Sequence, residues 1–279
     1  MNPPFGIITP IVTLNPRAHN AWEERAGLDE LCAVARAADR LGYHHLTCSE
    51  HVAIPVEVAT TRGGRYWDAA STLSYLAATT ERIKLATHVL VLGYHHPLEI
   101  VKRYGTLDVV SGGRLILGVG VGSLKEEFEL LGAEFEHRGE RADDSLRVVR
   151  EAFGQPTFDG FVLDPAGIQS PPPLWIGGRT ARSLRRAVEL GDGWVPFGLS
   201  PAAAGRMVAR ARDSEAWARR DRAIDVVLWP EAPADPIDEP NAFREQVGAA
   251  VTAGATIVNL RFASRSLAHH LEQMEAAVR

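Results

Sequence analysis

Three groups of residues have types and spacings that suit chemistry. The first is Glu50-His51, an acid followed by an imidazole at the end of the apolar run His45 to Ser49. Such a pair can exchange a proton or hydrogen-bond a cofactor, and it can equally serve as a cap or a surface pair. The second is Gly118-Val119-Gly120-Val121-Gly122, which closes the run Leu115-Ile116-Leu117 and precedes the acidic Glu126-Glu127-Phe128-Glu129. Alternating glycines at a strand end remove side chains where the backbone must approach something flat or bulky. A pocket for a large planar cofactor has that need, as do tight turns and bulges. The third is Gly177-Gly178-Arg179-Thr180, directly before a helical segment. Free backbone N–H groups, the helix dipole, the Thr180 hydroxyl and the Arg179 charge form an anion cradle there, suited to a phosphate. A plain turn with an N-cap would use the same residues.

Other candidates carry less. His88 sits in an otherwise apolar strand, where a satisfied core histidine and a pocket group read alike. Tyr94-His95-His96 offers two imidazoles, but adjacent residues do not share a helix face and Pro97 starts a helix, so no metal is expected. Trp22, Trp67, Trp194 and Trp217 read as packing residues. The arginines between 206 and 222 read as a solvated helix face. No serine sits in a nucleophile elbow and no P-loop lysine follows a glycine run, so hydrolase and kinase readings lose support.

These groups need elements to position them. Apolar runs predict strands at Phe5 to Thr9, His45 to Ser49, Lys84 to Leu90, Arg114 to Val121, Leu174 to Gly177, Gly193 to Phe197, Ile224 to Trp229 and Thr256 to Phe262. Helical periodicity predicts a helix from Leu28 to Leu41, with Leu28, Leu31, Ala35 and Ala38 on one face and Gly42 as its stop. Further helices are predicted over Asp68 to Thr80, Leu98 to Val110, Glu140 to Phe153, Ala181 to Leu190, Pro201 to Arg219, Asn241 to Thr252 and Ser266 to Val278. Strands alternating with helices require parallel pairing through crossovers, and eight strands is the closure number of the (β/α) barrel. The expected fold is one (β/α)8 TIM barrel spanning residues 1–279, with an insertion between strands four and five. A doubly wound open sheet is the alternative. Such barrels place their chemistry at the C-terminal ends of the strands, where all three groups above fall.

Composition bounds the function. A length of 279 residues suits one barrel, since barrels run to roughly 250 residues. A net charge of −5 gives no basic footprint for nucleic acid. Cys32 and Cys48 are too few for a disulfide framework or a zinc cluster. No apolar run reaches membrane-span length and no signal peptide is evident, so a cytoplasmic protein is expected.

Longer motifs resemble the bacterial luciferase-like family of flavin and deazaflavin oxidoreductases. They are Ser49-Glu50-His51, Trp67-Asp68, the stretch Leu76 to Leu85, His96-Pro97, Thr106 to Arg114, the glycine run with Glu126-Glu127-Phe128, His137 to Arg141, Pro172 to Gly178, and Gly191-Asp192-Gly193-Trp194. The resemblance implies the barrel. Within the family the chain is more similar to the branch that uses coenzyme F-420, a 5-deazaflavin, than to the FMN monooxygenases. An arginine that meets the FMN phosphate in luciferase stands where Val121 is here. Deazaflavin-dependent sugar-phosphate dehydrogenases also end strand two in an acid and a histidine, but they carry a glutamate at the position of Ser123 and a tryptophan near Pro55. Those departures argue against a sugar phosphate. The family further implies a non-proline cis peptide at His88-Val89, in a bulge that backs the central ring of the cofactor.

The resemblance therefore implies coenzyme F-420, with FMN as the alternative, and hydride transfer to or from a small organic substrate. His51 and Glu50 are the expected catalytic residues. The expected cofactor residues are His88, Val89, Gly120, Val121, Gly122, Glu126, Gly177, Gly178, Arg179 and Thr180. An FMN-dependent monooxygenase and a non-catalytic cofactor-binding protein are the alternatives. A homodimer is expected, both from the family and from apolar Leu98, Ile100, Val101 and Leu107 on an outer helix. Substrate contacts are expected from the loops Ile54 to Tyr66, Gly122 to Gly139 and Gly154 to Pro173.

Overall fold

The computed structural model describes residues 3–279, and among these eight parallel strands close on one another. They are β1 (Phe5–Ile7), β2 (His45–Cys48), β3 (Lys84–Thr87), β4 (Leu115–Gly120), β5 (Leu174–Gly177), β6 (Gly193–Val195), β7 (Asp225–Leu228) and β8 (Ile257–Leu260). Each pairs with its sequence neighbours, and β1 closes the ring on β8 through Phe5↔Val258 and Ile7↔Leu260. The expected barrel is therefore present, and no open sheet edge remains for an alternative topology. The strand positions follow the apolar runs, trimmed by a residue or two at their ends.

The helices between them are α1 (Leu28–Leu41), α2 (Ala69–Thr79), α3 (Pro97–Ser111), α4 (Arg138–Ala152), α5 (Ala181–Leu190), α6 (Pro201–Arg212), α7 (Pro240–Thr252) and α8 (Leu267–Val278). In α1 the buried face is Leu31, Val34, Ala35 and Ala38, whereas Leu28 is 49% exposed, so the stripe starts one turn later than its periodicity suggested. Gly42 ends α1 in the left-handed region, as expected of a C-terminal glycine. The segment expected as one helix to Arg219 breaks after Arg212. The Ser214 hydroxyl accepts from Trp217 N and caps a separate short helix, Glu215–Ala218.

β3 does not run through to Leu90. It breaks at His88 and Val89, whose peptide is cis as the family resemblance implied, and resumes as Leu90–Val91 beside Val119 and Gly120 of β4. Between β4 and β5 lies the expected insertion, made of the helix Lys125–Leu130, α4 and a hairpin of Thr157–Phe158 with Phe161–Val162. The buried Asp108 carboxylate on α3 pins its far end, accepting from Ile168 N, Gln169 N and Gln169 Nε2 at 2.7 to 2.8 Å. The barrel interior holds Ala86, Ile116, Trp175, Val195, Val227 and Ile257. Trp194 is fully buried, which matches its reading as a packing residue.

Leu107, Ile100 and Val101 of α3 are 1% exposed or less, and Leu98 packs partly against the core. These residues hold α3 on the barrel and offer no surface for a second subunit, because the helix face that reads as apolar is the one turned inward. No helix among the described residues is long and apolar enough to cross a membrane.

Burial pushes the pKa of His44, His88 and His270 down to about 4 from 6.5. Below the upper value the unfolded chain takes up protons that these folded rings refuse, so stability falls as pH drops from about 6.5 toward about 4. A urea midpoint that declines through this window is expected, with a shallower decline in His44→Gln. A midpoint constant from about pH 7 to about pH 4.5 would contradict neutral buried imidazoles.

Candidate active site

The C-terminal ends of the strands surround a cleft of 370 Å³. It opens onto an outer cavity of 860 Å³ that shares Tyr66, Val121, Gly122, Gly178 and Phe197 with it. His51, just past β2, lines the inner cleft. Its Nδ1 lies 2.6 Å from Glu127 Oε2, and the Tyr66 ring meets the imidazole edge-on at 4.6 Å between centroids.

Glu127 is 1% exposed and comes from the short helix after β4. Its Oε1 accepts from Val52 N at 2.5 Å and Ala53 N at 3.2 Å, and its Oε2 also accepts from Tyr94 Oη at 2.7 Å. Burial works to raise its pKa, but the hydrogen bonds from His51 and Tyr94 outweigh it and hold the carboxyl below its ordinary value. An ionised Glu127 accepts a proton-bearing Nδ1, which leaves His51 Nε2 as the nitrogen available to a ligand.

Glu50 does not orient His51. Its carboxylate accepts from Val91 N at 2.6 Å and lies 2.7 Å from His95 Nε2. It therefore ties the end of β2 to the resumed strand Leu90–Val91 and to the approach to α3, while still lining the cleft. His95 is committed to this pair, and His96 caps α3 by accepting from Leu98 N.

Glu126 is exposed and lies outside both cavities, so the acid of this helix that reaches the site is its neighbour. Helical phase is the reason. Leu124 and Phe128 face inward, and Glu127 falls on their stripe three residues after Leu124 whereas Glu126 falls off it. That stripe is visible in the sequence, and an acid on it was the available signal.

The glycine run has a different neighbour from the one its spacing suggested. A Cβ on Gly118 would meet the Thr87 carbonyl oxygen at 2.1 Å, one on Gly120 the Val89 side chain at 2.7 Å, and one on Gly122 the Phe128 ring at 2.5 Å. Gly177 on β5 is likewise closed off by Val89, at 2.8 Å. These glycines make room for the break in β3, and Val89, seated between β4 and β5, forms the cleft wall with Gly120, Val121 and Gly122. Ser49 Oγ donates to His88 O at 2.9 Å from the other side. The His88 ring lies 5.1 Å from the Trp229 ring, and both line the cleft.

Gly177, Gly178, Arg179 and Thr180 all line the outer cavity. Thr180 is the N-cap of α5: its hydroxyl accepts from Ser183 N, and Ser183 Oγ accepts from Thr180 N. Trp194 Nε1 donates to Gly178 O at 3.1 Å and fixes the turn. Arg179 and Arg182 line the same cavity with no hydrogen-bond partner among the described residues. Arg138 is there too, donating to Gly122 O and stacked 3.8 Å over the Phe135 ring. Arg182 was not singled out in the sequence, whereas Tyr66, Tyr94, Trp229 and Arg261 fell in segments named there, at the end of an expected substrate loop, beside two histidines and at the ends of strands, without an assigned role.

The arrangement is an apolar, aromatic-walled cleft with one imidazole held by a buried carboxylate at its rim and a cationic helix N-terminus at its outer end. Comparisons with known proteins bear on the family and the fold. A profile described as luciferase-like monooxygenase matches residues 4–279. An uncharacterized protein of Mycobacterium tuberculosis is 31% identical over 203 residues, 64% of this chain and 69% of that one. An F420-dependent glucose-6-phosphate dehydrogenase of Microbacterium testaceum is 28% identical over 189 residues, 63% of this chain and 55% of that protein, so the match spans about half of it. The oxygenating constituent of 3,6-diketocamphane monooxygenase from Pseudomonas putida, solved in complex with FMN, has the same fold, with a TM-score of 0.74 at 15% identity over 100% of this chain and 98% of that one. A full-length profile match on a barrel whose strand ends carry this cleft shows that the chain belongs to the luciferase-like monooxygenase family of oxidoreductases.

Proposed function

We propose that the protein is a coenzyme F-420-dependent oxidoreductase, in which His51 exchanges a proton while hydride passes between the deazaflavin and a small organic substrate. The observation that carries the reading is the His51–Glu127 pair, a rim imidazole whose inner nitrogen is committed to a buried carboxylate. When bound, the deazaflavin supplies a carbon hydride donor or acceptor, and the chain supplies position, electrostatics and a proton.

The residues present fit such a group. Val89 and Gly120 to Gly122 give one wall of the cleft a surface of small and branched apolar side chains, and His88 with Trp229 adds an aromatic flank. The N–H groups at the start of α5, with Arg179 and Arg182, would hold a phosphate. Val121 puts no positive charge between the inner cleft and the outer cavity, which favours the deazaflavin over FMN. An FMN-dependent monooxygenase is the second reading, supported by relatives such as the flavin-dependent trigonelline monooxygenase oxygenase component of Acinetobacter baylyi, 25% identical over 174 residues.

In this reading the imidazole takes or gives a proton at Nε2, and Nδ1–H stays bound to Oε2 throughout. Tyr94 and the Val52 and Ala53 amides keep the carboxylate in place, so its orientation does not depend on the bound ligand. Tyr66, packed on the imidazole edge, restricts its rotation and shields it from water.

His51→Ala is expected to keep cofactor affinity within about threefold and to slow cofactor oxidation or reduction about 100-fold, read by stopped-flow single turnover with a turned-over substrate. His51→Asn should recover little of that loss, because it keeps a hydrogen bond without a usable pKa. A wild-type rate in His51→Ala across pH would assign the proton to another group. At the outer end, Arg179→Ala combined with Arg182→Ala should weaken cofactor binding by about tenfold or more in a fluorescence titration, the scale of a lost charge-assisted hydrogen bond. An unchanged dissociation constant would move the phosphate elsewhere.

A further inference from the structure

The inner cleft has a second wall, of which the cofactor reading uses only the Trp229 ring. It is built from the segments after β1, β7 and β8, and Thr13, Trp229, Arg261, Phe262 and His270 line it. Arg261, Trp229 and His270 on this wall each have a donor with no partner among the described residues, and the Thr13 hydroxyl is unpartnered as well. The Arg261 side chain, just past β8, is half-buried and makes no hydrogen bond or salt bridge among the described residues. The Glu23 charge acts on it from nearby, but the Glu23 oxygens are taken up by Ile11 N, Asn20 N and Asn20 Nδ2. Trp229 Nε1 can only donate, and it is buried with no partner.

His270 adds a third donor. It is 2% exposed, and its Nδ1 lies 3.1 Å from Ser264 Oγ. Ser264 Oγ already accepts from Trp22 Nε1 at 3.1 Å, so its own proton is free for Nδ1. That assignment puts the imidazole hydrogen on Nε2, which is buried and has no partner. A guanidinium, an indole N–H and an imidazole N–H thus line one cavity, each without an acceptor among the described residues. Buried donors in native proteins are met by protein groups, by water or by a ligand, and a cleft wall is where a ligand can meet them.

We propose that this wall is the substrate subsite and that Arg261 selects a substrate bearing a carboxylate on an apolar body, a proposal that rests on the oxidoreductase reading. The guanidinium fork matches a planar carboxylate with two parallel hydrogen bonds. One unbridged arginine matches the charge of a monoanion and falls short of a phosphate dianion, and the nearby Glu23 charge opposes the dianion more strongly than the monoanion. Pro10, Val12 and Phe262 line the same cleft and suit the apolar body. Phe262 also packs edge-on against His270, at 5.3 Å, which keeps that ring in place.

The test is a calorimetric titration of purified protein, without added cofactor, with three matched pairs: phenylacetate and phenylacetamide, octanoate and octanamide, cyclohexanecarboxylate and cyclohexanecarboxamide. At least one acid should bind at least about tenfold more tightly than its amide. Arg261→Gln should abolish that preference, Arg261→Lys should keep part of it, and Trp229→Phe should weaken the acid severalfold. Equal affinities in all three pairs up to about 10 mM, or a preference that survives in Arg261→Gln, overturns the proposal. A parallel coenzyme F-420 titration separates the two readings: wild-type protein that prefers acids but binds no deazaflavin defeats the cofactor assignment and leaves the carboxylate subsite standing.

Discussion

The buried carboxylate of Glu127 is the interaction on which the site depends. It joins three parts of the chain that no single element could align. His51, Val52 and Ala53 follow β2, Tyr94 follows the resumed strand after β3, and Glu127 itself follows β4. A carboxylate with 1% exposure would be unfavourable without compensation, and here four donors supply it. The same contacts that keep the charge tolerable also fix the imidazole nitrogen that faces the cleft. Removing any donor weakens both at once, so local stability and the proton exchange proposed for His51 are coupled at this point. Glu50 does comparable work one residue before His51, but for architecture: it ties β2 to the strand beside it.

Around this pair, the cleft is shaped by backbone packing as much as by side chains. The break in β3 pushes Val89 between β4 and β5, and only glycine at 120 and 177 leaves space for it. Glycine at 118 is required by the Thr87 carbonyl, and at 122 by Phe128, the residue beside Glu127. The glycine run therefore serves both the wall of the cleft and the helix that delivers the carboxylate. At the outer end, the capping pair of Thr180 and Ser183 together with Trp194 fixes a helix N-terminus where charged side chains stay available.

Much of this was legible in the sequence because it follows from periodicity. The eight strands, the position of α5 and the stop at Gly42 rest on local patterns that tertiary packing did not override. The family pattern further anticipated the cis peptide at His88-Val89. Contacts between distant segments were not legible. Nothing local says that Glu127 lies beside His51, 76 residues away in sequence. The choice between Glu126 and Glu127 was open to a helical-phase argument from Leu124 and Phe128. The hairpin at Thr157 to Val162 also had a signal, the Asp159-Gly160 turn, where both residues take positive φ. Arg261 gave none. Its lack of partners is a property of the folded cleft, and a strand-end arginine reads the same whether bridged or free.

The central claim is that this cleft holds a deazaflavin. It is tested most directly by titrating the purified protein with coenzyme F-420 and with FMN under one set of conditions, following ligand fluorescence. The account expects coenzyme F-420 to bind at least about tenfold more tightly, a difference of about 1.4 kcal/mol. Tighter binding of FMN would contradict it and make the protein a flavin-dependent member of the same family.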